Sequence, residues 1–279
     1  MLVNLKEILD IAAKGNFAIP AFNTYNIETV MGVIGAAEEL NAPVILQCYS
    51  RLFNSDYAYY LAPVILAAAQ KSKVPVCFHL DHGTTESEVL RGIRYGCSGI
   101  MIDASKLPLE KNIEITGRIC EICSNVGIPV EGELGHVGSV NDETMGEFTN
   151  VEEAKRFVEE TKVAAIAIMV GTAHGRYKKA PKLDIERIAR IKEVLDKTTP
   201  AALVLHGGSG IPDEQLKAAI NAGIRKVNFG TDICYSFLDK VFETSRDIIA
   251  IDLFMKDPIE NVKKFAAEKI KLLGADDKA

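Results

Sequence analysis

Val76-Cys77-Phe78-His79-Leu80-Asp81-His82-Gly83 is a short apolar run that ends in chemically capable side chains. Its length and its Val, Cys and Phe content suit a buried β-strand. The pattern recurs: His174 follows Ala164-Ala165-Ile166-Ala167-Ile168-Met169-Val170, and His206 follows Leu203-Val204-Leu205. The chain has 5 histidines in 279 residues. Three of them at strand ends imply one polar rim, where a metal could be held.

Working outward from these runs, eight apolar segments alternate with longer amphipathic stretches, the signature of repeated βα units. The strands are expected near 17–22, 44–48, 76–80, 99–102, 129–133, 164–170, 201–205 and 225–229. Helices are expected over 27–40, 87–95, 109–126, 151–160, 184–195, 213–222 and a long C-terminal section, with Ser87 capping the second of these. Asn41-Ala42-Pro43, Lys73-Val74-Pro75, Gly127-Ile128-Pro129 and Thr199-Pro200 each stop a helix before the next strand. Strands that are apolar on both faces belong to a parallel sheet covered on both sides. Eight such units predict an α/β fold, the (β/α)8 TIM barrel, as one domain over residues 1–279 with extra C-terminal helices.

A barrel of this kind carries its chemistry at the C-terminal ends of its strands. There the sequence places Asn23, Asp81 and His82, Asp103, Glu131 and Glu133, His174, His206 and Asn228. Neutral imidazole is the commonest metal ligand, and three histidines leave a coordination position open for substrate. Gly83, Gly175 and Gly207, next to them in sequence, let backbone approach a ligand closely. His79 lies three residues before His82, so strict alternation turns it to the opposite face as a buried structural residue. His136 reads as solvent-facing or as support behind the ligands. Asp81 reads equally as a proton-transfer group or as a carboxylate orienting an imidazole. His206-Gly207-Gly208-Ser209-Gly210-Ile211-Pro212 leads into a helix, and Asn228-Phe229-Gly230-Thr231-Asp232 follows strand 8. Loops after strands 7 and 8 are the usual phosphate site of such barrels.

Composition excludes other classes. The chain is 48% hydrophobic and 25% charged, as in an ordinary globular protein. A net charge of −6 without a dense basic block argues against nucleic acid, so any phosphate binding is local. Met1–Asp10 has apolar residues at helical spacing among charges, which reads as a capping helix rather than a signal peptide. No uncharged apolar run reaches the roughly 20 residues that span a bilayer, so a cytoplasmic protein with no membrane partner is expected. The 6 cysteines are scattered, and the Cys120/Cys123 pair lacks a second pair to complete a metal site, so reduced thiols are expected.

Five ordered motifs resemble the class II, zinc-dependent ketose-bisphosphate aldolases, most nearly their fructose- and tagatose-bisphosphate branch. They are Phe78-His79-Leu80-Asp81-His82-Gly83, Glu131-Gly132-Glu133-Leu134-Gly135, Gly171-Thr172-Ala173-His174-Gly175-Arg176-Tyr177-Lys178, Leu205-His206-Gly207-Gly208-Ser209-Gly210, and Lys226-Val227-Asn228 with Thr231-Asp232. The resemblance implies that His82, His174 and His206 bind Zn2+, with Glu133 as an alternative or supporting ligand, and that Asp81 is the catalytic acid/base. It implies that Gly175, Gly207, Gly208, Ser209, Asn228, Phe229, Gly230 and Thr231 hold dihydroxyacetone phosphate beside a monovalent cation (Na+ or K+), with Asn23 and Lys178 assisting. A homodimer or homotetramer is implied as well. The apolar Ile248, Ile249, Ile251, Leu253, Phe254 and Met255 would serve such an interface or pack on their own barrel.

The chain departs from the family pattern twice. Relatives carry a glutamate where Asn141 stands, as base for the C3 proton of dihydroxyacetone phosphate, and an amide cannot do this work. Asp142 or Glu143 is the expected substitute. Relatives also grip the distal phosphate with an Asp-Pro-Arg-Lys stretch, where an ungapped count from Gly274 finds Asp252 and Leu253. Tyr49-Ser50-Arg51-Leu52-Phe53 is similar to the branch that cleaves a phosphorylated deoxy-keto-gluconate. The leading expectation is a zinc-dependent lyase cleaving a ketose 1,6-bisphosphate to dihydroxyacetone phosphate and an aldehyde such as glyceraldehyde 3-phosphate. The alternatives are the deoxy-keto-gluconate reaction and a sugar-phosphate-binding protein impaired in turnover. A Schiff-base aldolase ranks lower, on the expectation that no lysine lies within a strand where it would be desolvated.

Overall fold

The computed structural model describes residues 1–141 and 146–279. Eight parallel strands close into a barrel in chain order: β1 (Ile19–Asn23), β2 (Val44–Tyr49), β3 (Val76–Gly83), β4 (Gly99–Ile102), β5 (Val130–Leu134), β6 (Ala165–Ile168), β7 (Ala202–Leu205) and β8 (Ile224–Phe229). β8 returns to β1 with Ala21 opposite Asn228. This is the expected (β/α)8 TIM barrel. The strands are buried on both faces, so their apolar runs show no alternation.

The covering helices are α2 (Ile27–Glu39), α3 (Ser50–Phe53), α4 (Tyr57–Lys71), α5 (Glu86–Arg94), α6 (Leu109–Ser124), α7 (Val151–Thr161), α8 (Ile185–Lys197) and α9 (Asp213–Ala222), preceded by α1 (Leu5–Gly15) and followed by α10 (Thr231–Glu243), α11 (Ile251–Phe254) and α12 (Lys256–Leu272). α1 is held by a reciprocal Asn4/Glu7 capping box and packs against β1, β3, β4 and β8. Backbone hydrogen bonds from Val3 N to Val76 O (3.0 Å) and from Leu5 N to Ser98 O (3.1 Å) place it beneath the barrel floor.

Sequence reading assigned no element to 50–71, where α3 and α4 form. Pro63 inside α4 and the aromatic Tyr57-Ala58-Tyr59-Tyr60 start hide its helical period. The cap of α5 is Thr85, whose hydroxyl accepts from Glu88 N at 3.2 Å, and not Ser87, which lies within the helix. α12 packs on α2 and α10, which settles where the last helix goes. Ile249, Ile251 and Leu253 remain exposed at 91%, 73% and 60%. Cys48, Cys77, Cys97 and Cys123 are buried free thiols, and Cys120 and Cys234 are partly buried and free. Among the described residues no helix is long and apolar enough to cross a membrane.

Candidate active site

β3 brings two functional side chains to the rim by breaking its own alternation. His82 has φ +53°, left-handed backbone that is uncommon outside glycine, and the pairing with β4 shifts between Leu80 and Gly83. The inversion lets Asp81 and His82 both face the mouth. It also corrects the expectation for His79. That ring is fully buried with Nε2 3.5 Å from Glu131 Oε2, so it joins the polar cluster below the histidines.

His82, His174 and His206 each place a ring nitrogen within 4.8 Å of the others. Their ring centroids lie 4.9 Å apart for His82 and His174 and 4.7 Å apart for His82 and His206. Two of the outer imidazole atoms are braced: His82 Nδ1 lies 3.0 Å from Asp103 Oδ2, and His206 Nε2 lies 2.9 Å from Glu131 Oε1. The inner atoms are not. His82 Nε2, His174 Nε2, His206 Nδ1 and Glu133 Oε2 are buried without a hydrogen-bond partner. Buried polar atoms almost always find partners, and the three histidines form one group that could hold a metal, with Glu133 in a second such group beside His82 and Asp103. Glu133 is held by Val137 N at 2.9 Å and Ser105 Oγ at 3.0 Å, both on Oε1, which leaves Oε2 free 3.2 Å from His206 Nδ1.

Electrostatics divide the three rings, and despite burial the Glu131 and Glu133 carboxylates beside it raise His206 above its ordinary value. Burial and the neighbouring His82 and His206 push His174 down to about 4, so it is a neutral imidazole, as ligation requires. Burial opposes protonation of His82 as well. There Asp81 and the Asp103 hydrogen bond prevail, the group titrates at about 9, and a cation competes with a proton. Burial would raise Asp81, but His82, His206 and Lys226 hold its carboxyl below the ordinary value. Its oxygens accept from Asn23 Nδ2 at 2.7 Å and Asn228 Nδ2 at 3.3 Å. Asp81 Oδ1 stands 3.9 Å from His82 Nε2, beside the donor set.

A cavity of about 940 Å³ opens above these groups. Asn23, Asp81, His82, His174, Gly175, Gly207, Ser209, Asn228, Gly230 and Thr231 all line it. Gly207 has φ +67°, and a Cβ there would lie 2.4 Å from Ala173 O, so the β6 and β7 loops touch through glycine backbone. Tyr177 staples the same two loops, accepting from Ala173 N at 2.8 Å and donating to Gly207 O at 3.1 Å. The loop after β5 joins them: Val140 N donates to His174 O at 2.9 Å and His174 N to Gly138 O at 2.8 Å. Asn141, next along, is exposed. Asp142 and Glu143 lie outside the described residues.

Some expected residues stand elsewhere. Gly208 packs under the loop, its N donating to Asn228 O at 3.0 Å. The Phe229 ring belongs to the core, stacked 5.8 Å from Phe22, and Lys178 is exposed and does not line the cavity. Sequence reading missed Lys226. It lies inside β8, fully buried, which corrects the expectation that no lysine occupies a strand. Its Nζ is already engaged by Glu131 Oε2 at 2.9 Å and Asn228 Oδ1 at 2.8 Å, so a Schiff base gains nothing from it. Asp252 is exposed on α11 and does not line the cavity. The cations on the wall are instead Arg51 and Lys106, with Arg51 5.0 Å from the Tyr49 ring and 5.4 Å from the Tyr25 ring.

The same arrangement of chain is found in known proteins. The family described as "Fructose-bisphosphate aldolase class-II" matches residues 3–278. The uncharacterized protein YdjI of Escherichia coli K12 is 36% identical over 283 residues, covering 100% of both chains. The crystal structure of the YdjI aldolase from E. coli K12 superposes with a TM-score of 0.90, at 34% identity and full coverage of both. A putative fructose-1,6-bisphosphate aldolase from Coccidioides immitis gives a TM-score of 0.91 at 25% identity, over 99% of this chain and 97% of the other. With a family match across nearly every residue and a 36%-identical relative aligned end to end, the chain belongs to the class II fructose-bisphosphate aldolase family.

Proposed function

We propose that the chain is a zinc-dependent aldehyde-lyase that reversibly cleaves a ketose 1,6-bisphosphate of fructose or tagatose type to dihydroxyacetone phosphate and an aldehyde such as glyceraldehyde 3-phosphate. The observation that carries this reading is the grouping of His82, His174 and His206 beside Asp81, with Glu133 Oε2 3.2 Å from His206 Nδ1 and with His82, His174 and Asp81 lining the cavity. Zinc supplies a Lewis acid for the charge that develops on the ketone oxygen. Asp81, aimed by Asn23 and Asn228, takes the proton of the C4 hydroxyl as the C3–C4 bond breaks and returns it in condensation. The phosphate would sit where the Gly207–Ser209 loop meets the N-terminus of α10, whose first-turn backbone N–H groups can donate to it, with a monovalent cation nearby. We read the chain as one cytoplasmic catalytic domain that acts as a homodimer or homotetramer.

One observation favours a second substrate. Arg51 and Lys106 stand on the cavity wall, and Arg51 lies in the motif similar to the deoxy-keto-gluconate branch, so a distal anion other than a phosphate fits there. A coupled assay for dihydroxyacetone phosphate, run with zinc on fructose bisphosphate, tagatose bisphosphate and the phosphorylated deoxy-keto-gluconate, is expected to show turnover on at least one. Silence across the panel would remove all three as substrates.

For the C3 proton we assign an acid of the Asp142–Glu143 pair. Because the pair adjoins position 141, Asn141→Glu is expected to change C3-proton exchange of dihydroxyacetone phosphate by less than about threefold, against the roughly 100-fold or more that a missing base costs. A large gain would show that the native loop lacks its base and would favour the sugar-phosphate-binding alternative.

A further inference from the structure

The charges buried beneath the histidines have no part in that chemistry. Lys226 touches two groups, and each leads to the site. One is Glu131, whose Oε1 lies 2.9 Å from His206 Nε2. The other is Asn228, whose Nδ2 lies 3.3 Å from Asp81 Oδ1. An ammonium has donors only, so the 2.8 Å contact to Asn228 Oδ1 fixes which way that amide faces. Its NH2 is thereby turned on Asp81. A flipped amide would set its oxygen against the carboxylate. The remaining neighbour is His79, 3.5 Å from Glu131 Oε2 and pushed down to about 3 by burial and by Lys226, so it is neutral and Lys226 is the cation on that oxygen.

We infer that Lys226 is a positioning residue: it clamps the Asn228 amide so that Asp81 is aimed at the substrate, while its other contact fixes the carboxylate that orients His206. The inference rests on the role proposed for Asp81. It separates two steps of one reaction, because Asp81 serves carbon–carbon cleavage whereas the C3 proton belongs to another group.

The test compares zinc-saturated Lys226→Met, Glu131→Gln and the double variant, with zinc content measured by chelator competition. Lys226→Met alone leaves the buried Glu131 without its ammonium, held by His206, and can fail to fold, whereas the double variant removes both charges. Cleavage kcat on the wild type's substrate is expected to fall roughly 10–100-fold in every folded variant lacking Lys226, with C3-proton exchange of dihydroxyacetone phosphate within about threefold and zinc retained. Parallel loss of cleavage and exchange, or a double variant with wild-type kcat, would overturn the inference, the latter by showing that Lys226 only balances Glu131. A wild type that performs neither step would instead overturn the aldolase reading itself.

Discussion

Dialysis against a strong chelator is expected to abolish cleavage and lower the melting temperature, and added zinc is expected to restore both. The argument lies in the four orphaned atoms. Each buried polar atom without a partner costs about 1–3 kcal/mol, and the folded chain carries His82 Nε2, His174 Nε2, His206 Nδ1 and Glu133 Oε2 together. A cation that binds only the folded state stabilises it by about 2.7 kcal/mol at 100 times its Kd, which for a chain of this size is a rise of roughly 5–10 °C. Other divalent ions compete for the same nitrogen and oxygen donors, so the measurement follows turnover and melting across a metal series. Full turnover and an unchanged melting temperature in metal-free protein would remove the metal from the reading.

Asp81→Asn is expected to lower cleavage kcat roughly 10²–10⁴-fold, the range of a lost general acid/base. The replacement is nearly isosteric. It keeps one oxygen for Asn23 or Asn228 and loses about one hydrogen bond, on the order of 1 kcal/mol, so the fold should survive. Zinc should remain too, since Asp81 stands beside the donor set and is not among its orphaned atoms. C3-proton exchange of dihydroxyacetone phosphate should persist. A variant whose cleavage falls less than about threefold would return Asp81 to the role of a carboxylate that merely orients an imidazole.

Eight strands, seven of the helices and the rim histidines were legible because periodicity and strand-end polarity are local signals. His79 was misplaced because strict alternation was extended through His82, and a positive φ in a non-glycine residue leaves no mark in composition. Helix α4 was passed over because Pro63 and three tyrosines blur its apolar face. Lys226 was within the predicted strand 225–229 and in a quoted motif yet given no role, although Arg225 and Lys226 in an otherwise largely apolar strand are signs of buried charge. The cavity cations were hidden for a different reason. Arg51 and Lys106 are 55 positions apart in sequence, and the pairing of β2 and β4 on either side of β3 brings the segments after them to one wall.

Helix α1 has a consequence for traffic. Its Leu5, Ile8, Leu9 and Ala12 are buried under β1, β3, β4 and β8, so the barrel has a stopper at one end, and the large cavity opens at the other. A lyase makes two molecules from one, and among the described residues the mouth of the cavity runs past Arg51, Lys106 and Tyr235. Dihydroxyacetone phosphate, proposed at the Gly207–Ser209 loop, lies deeper than the aldehyde, whose distal end is proposed at Arg51 and Lys106. Sequential departure is therefore expected, with an excess of the aldehyde slowing release of dihydroxyacetone phosphate in product-inhibition kinetics.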